Sequence, residues 1–301
     1  MTDKTLGILS MCLALVVLTA AETADRNQKA AGVSDENAQV VISSLPDEIK
    51  LITGKSKNQH YAPRLRAIHA LSSNLPRDQV QACYEFLYQK LDSQTLPNLQ
   101  FNGLKNELVF VLMRQKRKPA ELSGHLVKMY RDKSFDTTWR DYCVQFFGKW
   151  YPDAPKNSGR REMAEALWDA LKNERGNSIS GAASSQLCFL SGRFQEFDKK
   201  AVSEASYDAL CDPKCANISR VALLQTCAVL GNEKALPVAR KLASGSREPL
   251  LKASAIAAIG MLGSKDDLEL LRQFERAKDI RLRAPAKAAV EKIEARIHPD
   301  R

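Results

Sequence analysis

Histidine is nearly missing from this chain, with four in 301 residues, which restricts any imidazole-based metal or acid–base site. There is no glycine-rich phosphate loop, no Gly-x-Ser-x-Gly elbow and no His-Glu-x-x-His pair, so common nucleotide, acyl-transfer and zinc-hydrolase devices are absent. Alternating β-branched runs bounded by hairpin turns are also lacking, which argues against a sheet-based fold. Beyond residues 6–18, no apolar run approaches the ~20 residues of a membrane span. Fourteen glycines are too few for a collagen-like chain, and 44% hydrophobic residues are too many for a mostly disordered one. Length excludes a disulfide miniprotein. On motifs alone the chain is expected to be non-enzymatic, with no cofactor and no metal site.

What is present is positive charge: 45 Lys and Arg against 35 Asp and Glu give a net +10. Spread-out positive charge permits an anionic partner and otherwise acts on solubility and steering. The N-terminus reads as an address. Leu6 to Leu18 form an apolar run, preceded by Lys4 and followed by small residues at Thr19 and Ala21, the pattern of a secretory signal cleaved after Ala20 or Ala21. Cys12 opens a lipoprotein reading, although Met11 is large for the position before a lipidated cysteine, and retention of the run as an anchor is a further alternative. Residues 1–20 are read as a signal peptide, 21–45 as a flexible linker without apolar periodicity, and 46–298 as the folded part. An exported protein follows, periplasmic or secreted, touching a membrane only through an uncleaved signal segment.

From about Leu45 the pattern is helical. Val80, Cys83, Tyr84, Leu87 and Leu91 keep the spacing of an amphipathic helix, which Pro76 and Asp78 start well. Two segments near the C-terminus repeat. Val221 to Gly231 and Ala253 to Gly263 are small-residue helices ending in Leu-Gly, each followed by a short polar turn and another amphipathic helix. Glycine supplies the left-handed residue past a helix end, and Ser264 can cap the next start. Carried upstream, the same template places core positions at Leu71, Leu112, Phe147, Cys188, Cys227, Ile259 and Val290, at intervals of 31 to 41 residues. Seven residues before each lie Arg64, Lys105, Arg140, Gly181, Arg220, Lys252 and Arg283, basic in all but one case. Four residues before three of these bases sit Asp136, Glu248 and Asp279, with Asn177 in that slot before Gly181.

This pattern resembles HEAT repeats, especially the bacterial type with Ala-rich second helices ending in Leu-Gly. The match is sharpest over residues 217–296 and loosest over 61–113. The resemblance implies an all-α fold, an α-solenoid of about seven helical hairpins stacked into a right-handed superhelix, with neighbouring pairs sharing one core. It further implies a ladder of hydrogen bonds between neighbouring repeats, formed by Arg64, Lys105, Asp136, Arg140, Arg220, Glu248, Lys252, Asp279 and Arg283, and broken at Gly181. In that family the usual binding surface is the face lined by the second helices.

Among candidate sites, Cys211 and Cys215 are the one close cysteine pair. Pro213 between them breaks the helix, so a local disulfide is the better reading and zinc the poorer one. Cys188 and Cys227 share a core slot and read as small buried hydrophobes. In the stretch from Thr138 to Tyr151, the spacing of Cys143, Phe147 and Trp150 favours core packing over base or sugar stacking, while Lys149 and Tyr151 are candidates for exposure. The basic clusters Arg114, Lys116, Arg117, Lys118 and, farther on, Arg160 and Arg161 complete the candidate partner-binding set.

Three functions compete. A non-enzymatic scaffold, probing a protein partner over an extended concave surface as a monomer, fits the repeats and the export signal. A basic nucleic-acid-binding array similar to HEAT-like DNA glycosylases fits the charge but not the address. A chromophore lyase or chaperone rests on fold analogy alone.

Overall fold

The computed structural model describes residues 45–54, 60–90 and 96–298. The segments read as signal peptide and linker lie outside these residues, apart from Leu45, as does Leu91. Among the described residues there are fourteen α-helices and no strand. They fall into two compact units, residues 1–119 and 120–301. In the first, α1 (Asp47–Ile52) pairs with α2 (Tyr61–Ala70), and α3 (Arg77–Tyr88) with α4 (Asn98–Met113). The second unit begins with α5 (Leu122–Arg131) paired to α6 (Thr137–Trp150), followed by α7 (Gly159–Asn173) with α8 (Ile179–Ser191). Three more pairs follow: α9 (Lys199–Cys211) with α10 (Asn217–Val229), α11 (Leu236–Gly245) with α12 (Pro249–Leu262), and α13 (Leu268–Glu275) with α14 (Ile280–Ile297). In this unit the second helices α6, α8, α10, α12 and α14 pack each on the next in chain order. The fold is an α-solenoid of helical hairpins.

Local chemistry starts these helices. Asp136 accepts the Trp139 amide at 3.1 Å, Asp198 that of Ala201 at 2.7 Å, and Asp279 that of Arg281 at 3.0 Å, each offsetting an orphan donor of a helix start. Ser264 and Asp267 form a reciprocal capping box before α13. The two Leu-Gly ends differ. Gly231 has φ +70°, and the turn it makes brings the Asn232 amide back to the Cys227 carbonyl at 2.8 Å. Gly263 is extended, with φ −76°, so the expected left-handed role does not apply there. Its lack of a side chain serves packing instead: a Cβ would lie 2.5 Å from Asp267 Oδ2 and 2.6 Å from the Ile259 carbonyl. The buried Asp267 carboxylate fills that space and holds Arg240 of α11 through two bonds, at 2.6 and 2.9 Å.

The basic residues at the starts of second helices act mainly within their own pair. Arg64 donates twice to the Ile52 carbonyl at the end of α1, at 3.1 and 2.8 Å. Lys105 donates to the Gln89 carbonyl after α3, and Arg140 to Tyr130 of α5 at 2.8 Å. Arg220 reaches the Asp212 carbonyl after α9 at 3.2 Å, and Arg283 the Ala277 carbonyl after α13 at 2.7 Å. Each of these five cations therefore satisfies a carbonyl at or just past the negative end of the first helix. Lys252 instead lies over the Phe274 ring, 5.8 Å from its centroid. The rungs between neighbouring pairs are mostly made by other residues. Arg140 also binds Glu174, Asn217 donates to Glu248 at 2.6 Å, Ser178 to Asp141 at 2.6 Å, and Tyr130 to Asp169 at 2.6 Å.

At the fourth pair the template slips by one residue. Leu187 is fully buried while Cys188 keeps 8% of its surface, and the half-open positions of α8 align with those of α10 only if Ser180, not Gly181, matches Arg220. Gly181 is needed for close approach: a Cβ would sit 2.9 Å from the Ser219 Cα, and Ser219 Oγ accepts the Gly181 amide at 2.9 Å. With no cation in this pair's slot, the carbonyl of Arg175 after α7 accepts the Ala216 amide at 2.8 Å.

Arg64→Met keeps the apolar stem and deletes the donors to Ile52. The expected result is a local loss of about 1–3 kcal/mol, the cost of an orphaned buried carbonyl. It is read as faster hydrogen exchange of the α1 and α2 amides in the full chain, and unchanged exchange would show that the carbonyl has another donor.

Candidate functional site

The second helices of the later unit share an open face at constant register. Counting from Arg140, Ser180, Arg220, Lys252 and Arg283, the positions two before and two, five and nine after form it, apart from Ser185 and Ser254, which are buried. In α6 these are Thr138, Tyr142, Gln145 and Lys149; in α10 they are Ile218, Ala222, Gln225 and Val229, and all eight are half-buried or exposed. The spacing keeps them on one side, because steps of four, three and four residues return nearly to the same helix angle. The row nine residues after the start carries the largest side chains: Lys149, Phe189, Val229, Met261 and Lys292, one per helix from α6 to α14. Three apolar residues thus stand between two lysines. Burial lowers the Lys149 pKa from its usual value. The Arg193 guanidinium stacks on Phe189, 4.2 Å from the ring centroid, and adds a cation beside the apolar stretch.

Polar side chains hold this face together from beneath. Ser219 bridges Gly181, Ser180 and the Asn177 carbonyl. Ser254 donates to the Val221 carbonyl at 2.9 Å and accepts from Gln225 at 2.9 Å. Small hydroxyls and glycines let neighbouring second helices approach closely while satisfying what they bury. At Gly260 the two helix backbones come close, since a Cβ would meet Ala289 Cα at 2.5 Å.

The sequence-derived candidates scatter. Arg114, Lys116, Arg117 and Lys118 are exposed beyond α4, in the first unit. Lys118 Nζ donates to the Met113 carbonyl at 2.7 Å, as expected of a cation at a helix end. Lys149 lies on the open face. Tyr151 does not contact solvent: it is 2% exposed, packs edge-on against Phe194 and Phe197, and donates to Glu196 at 3.0 Å. Burial, and then the Glu196 bond, push its hydroxyl up to about 12. Arg160 is stacked on Tyr151 and Phe194 and donates to the Pro152 carbonyl, so it braces a corner; Arg161 is exposed near Glu165. Trp139, Trp150, Cys143 and Phe147 are fully buried. The expected bridge is not formed: Cys211 and Cys215 are free thiols, the first exposed at the end of α9, the second buried with Sγ 3.6 Å from the Ala216 carbonyl. Burial holds the Cys227 thiol near 12 and that of Cys188 near 11, so neither is a ready nucleophile. Among the described residues no group of three His, Cys, Asp or Glu could hold a metal ion.

Phe189, Val229, Met261 and Lys292 were not singled out from the sequence. The signal was there, since each follows the start of a second helix by nine residues. Its apolar members were indistinguishable from core.

One buried charge cluster gives a pH-dependent prediction. Burial alone would push the Glu174 carboxyl up, but bonds from Lys133, Asn177 and Arg140 outweigh it and hold it below its usual value. A carboxylate with a depressed folded pKa contributes stability that is complete above its unfolded value, ~4.3, and lost as pH falls through the folded one. Between about pH 4.5 and 2 the melting temperature is expected to fall more steeply for the native chain than for Glu174→Gln. Parallel curves would remove Glu174 from the acid response.

The fold and this face define an all-α array of helical hairpins. No family model and no curated protein matches the chain. Among solved structures it is similar to human deoxyhypusine hydroxylase in complex with glycerol, at 15% identity, covering 86% of this chain and 98% of that one, with a TM-score of 0.32. The expectation that the chain is not an enzyme is corrected by this match, because the matched protein is an enzyme and a lack of familiar catalytic motifs does not exclude catalysis. A likeness this slight assigns no activity either.

Proposed function

We propose that this chain is an exported HEAT-like binding protein that holds a protein partner on the open face of its second helices, between Thr138 and Lys292. The observation that carries the reading is the row Lys149, Phe189, Val229, Met261 and Lys292, in which each helix contributes one large, accessible side chain above a polar-bonded, close-packed floor. A rigid surface of this kind recognises a partner without first ordering itself. The apolar run from Leu6 to Leu18 supports export to the periplasm or cell exterior. A monomer is supported by α14: where α12 turns Ile256 and Gly260 toward its neighbour, α14 carries the exposed pair Lys287 and Glu291 at the same register.

The test uses the full chain with an affinity tag, recovered with its bound proteins from the envelope of the native cell. Phe189→Ser with Met261→Ser is expected to lose a partner that the unaltered chain retains, with the melting temperature kept. Equal recovery by both chains would sink the assignment of this face. Sequencing of the recovered N-terminus tests the address, with Ala21 or Glu22 expected as the first residue.

A further inference from the structure

We propose that a cleft at the turn between α11 and α12 binds a carboxylate on a short apolar stem, from the C-terminal residue of a polypeptide or from a free fatty acid. The cleft has a volume of about 310 Å³, and its lining includes Asn217 at the start of α10, Lys241 and Leu242 of α11, Arg247 and Glu248 of the turn, and Leu251 of α12. None of these residues belongs to the rows of the open face, so the site is separate from that binding surface. The turn is fixed by its own bonds: the Ser246 amide donates to the Leu242 carbonyl at 3.0 Å, and Ser246 Oγ accepts the Glu248 amide at 3.1 Å. From the neighbouring pair, Asn217 donates to the Glu248 carboxylate at 2.6 Å. The carboxylate of the lining is thus engaged. Lys241 and Arg247 are exposed, and among the described residues neither has an ion-pair partner.

This lining selects the ligand. A guanidinium and an ammonium without partners favour an anion, and the planar fork of Arg247 matches a carboxylate with two parallel bonds. Leu242 and Leu251 add apolar surface beside the charge, which a stem of a few carbons covers and a bare inorganic anion does not. A free amino acid suits the cleft less, because its ammonium would meet two cations while Glu248 is held by Asn217. The volume lies at the small end of ligand sites, which span ~300–1,000 Å³, so one terminal side chain or a short acyl stem fits and a nucleotide does not. The larger cleft between α9 and the turn after α10, about 480 Å³, is of mixed charge. There Lys234 is paired with Glu204 at 2.7 Å, and Glu233 would repel an acid from Lys199 and Lys200.

The experiment titrates the full chain, by calorimetry, with an acetylated hexapeptide ending in leucine, with the C-terminal amide of that peptide, and with octanoate. At least one of the two acids is expected to saturate the chain, with the amide about tenfold weaker than the acid peptide where the peptide binds. Arg247→Gln is expected to weaken the bound acid about tenfold, as is Lys241→Gln, with binding falling as salt rises. Leu242→Ser is expected to weaken it as well, and Lys199→Gln, in the larger cleft, to change nothing. The altered side chains are exposed or half-buried, so the melting temperature is expected to hold in each variant. Preference for the peptide assigns the site to a chain terminus, and preference for octanoate assigns it to a free acid; both uphold the carboxylate. Equal binding of acid and amide peptides overturns the proposal, as does a lack of saturation by either acid. Affinity that survives both Arg247→Gln and Lys241→Gln overturns it too, and a loss in Lys199→Gln instead would move the site to the larger cleft.

Discussion

Ile259→Asp is expected to unfold α11 to α14 at neutral pH while α5 to α8 keep their structure. Ile259 is fully buried on α12, the helix that packs against α10, α11 and α14. An aspartate there would carry its charge into a site closed to water, and an uncompensated buried charge costs about 3–5 kcal/mol. In an array stabilised by nearest-neighbour interfaces, that loss is felt first by the pairs that share the damaged contact. Hydrogen exchange in the full chain reads the result: amides of α11 to α14 lose protection and those of α6, around Trp139 and Trp150, do not. Ile259→Val is the control, with an expected cost of about 0.5–1.5 kcal/mol. Unchanged melting of the aspartate variant would mean that α12 is not packed as described.

Arg140→Met is expected to be the other severe change, with a loss of about 3 kcal/mol. The guanidinium is 5% exposed and does two jobs, donating to the Tyr130 carbonyl within its pair and to Glu174 in the next. Methionine fills much of the volume and does neither. Glu174 keeps Lys133 and Asn177, so part of its charge remains compensated. A double-mutant cycle with Glu174→Gln separates the two jobs. The single loss from Arg140→Met should shrink when Glu174 is already neutral, and should not vanish, because the Tyr130 carbonyl is still orphaned. Strict additivity of the two changes would deny the contact between pairs.

The repeat was readable because each pair reuses one local recipe: a capping residue, an apolar stripe and a base at the start of the second helix. Leu112, Phe147, Cys227, Ile259 and Val290 are buried as the template requires. Leu71 follows the last residue of α2 and is only half-buried, since α2 stops at Ala70. What the bases do was not readable. Sequence spacing shows that Arg64 or Arg283 stands at a helix start, but the carbonyl it reaches lies at or just past the end of the preceding helix, twelve and six residues earlier. Gly181 looked like a broken rung, and it is the point where α8 and α10 touch. Tyr151 was a candidate for exposure, and Phe194 and Phe197 from a later turn cover it.

By itself the sequence determined that the chain folds as paired helices, where most of them start, and which stripe of each is apolar. These follow from periodicity, caps and glycine or proline stops, all of which act over a few residues. Only the tertiary structure decided which apolar residues remain accessible, which partner each cation takes, and that Gly263 makes room for Asp267 instead of adopting a left-handed turn. Those outcomes depend on groups that different helices and turns bring together, and their meeting is set by how the helices pack within and between pairs.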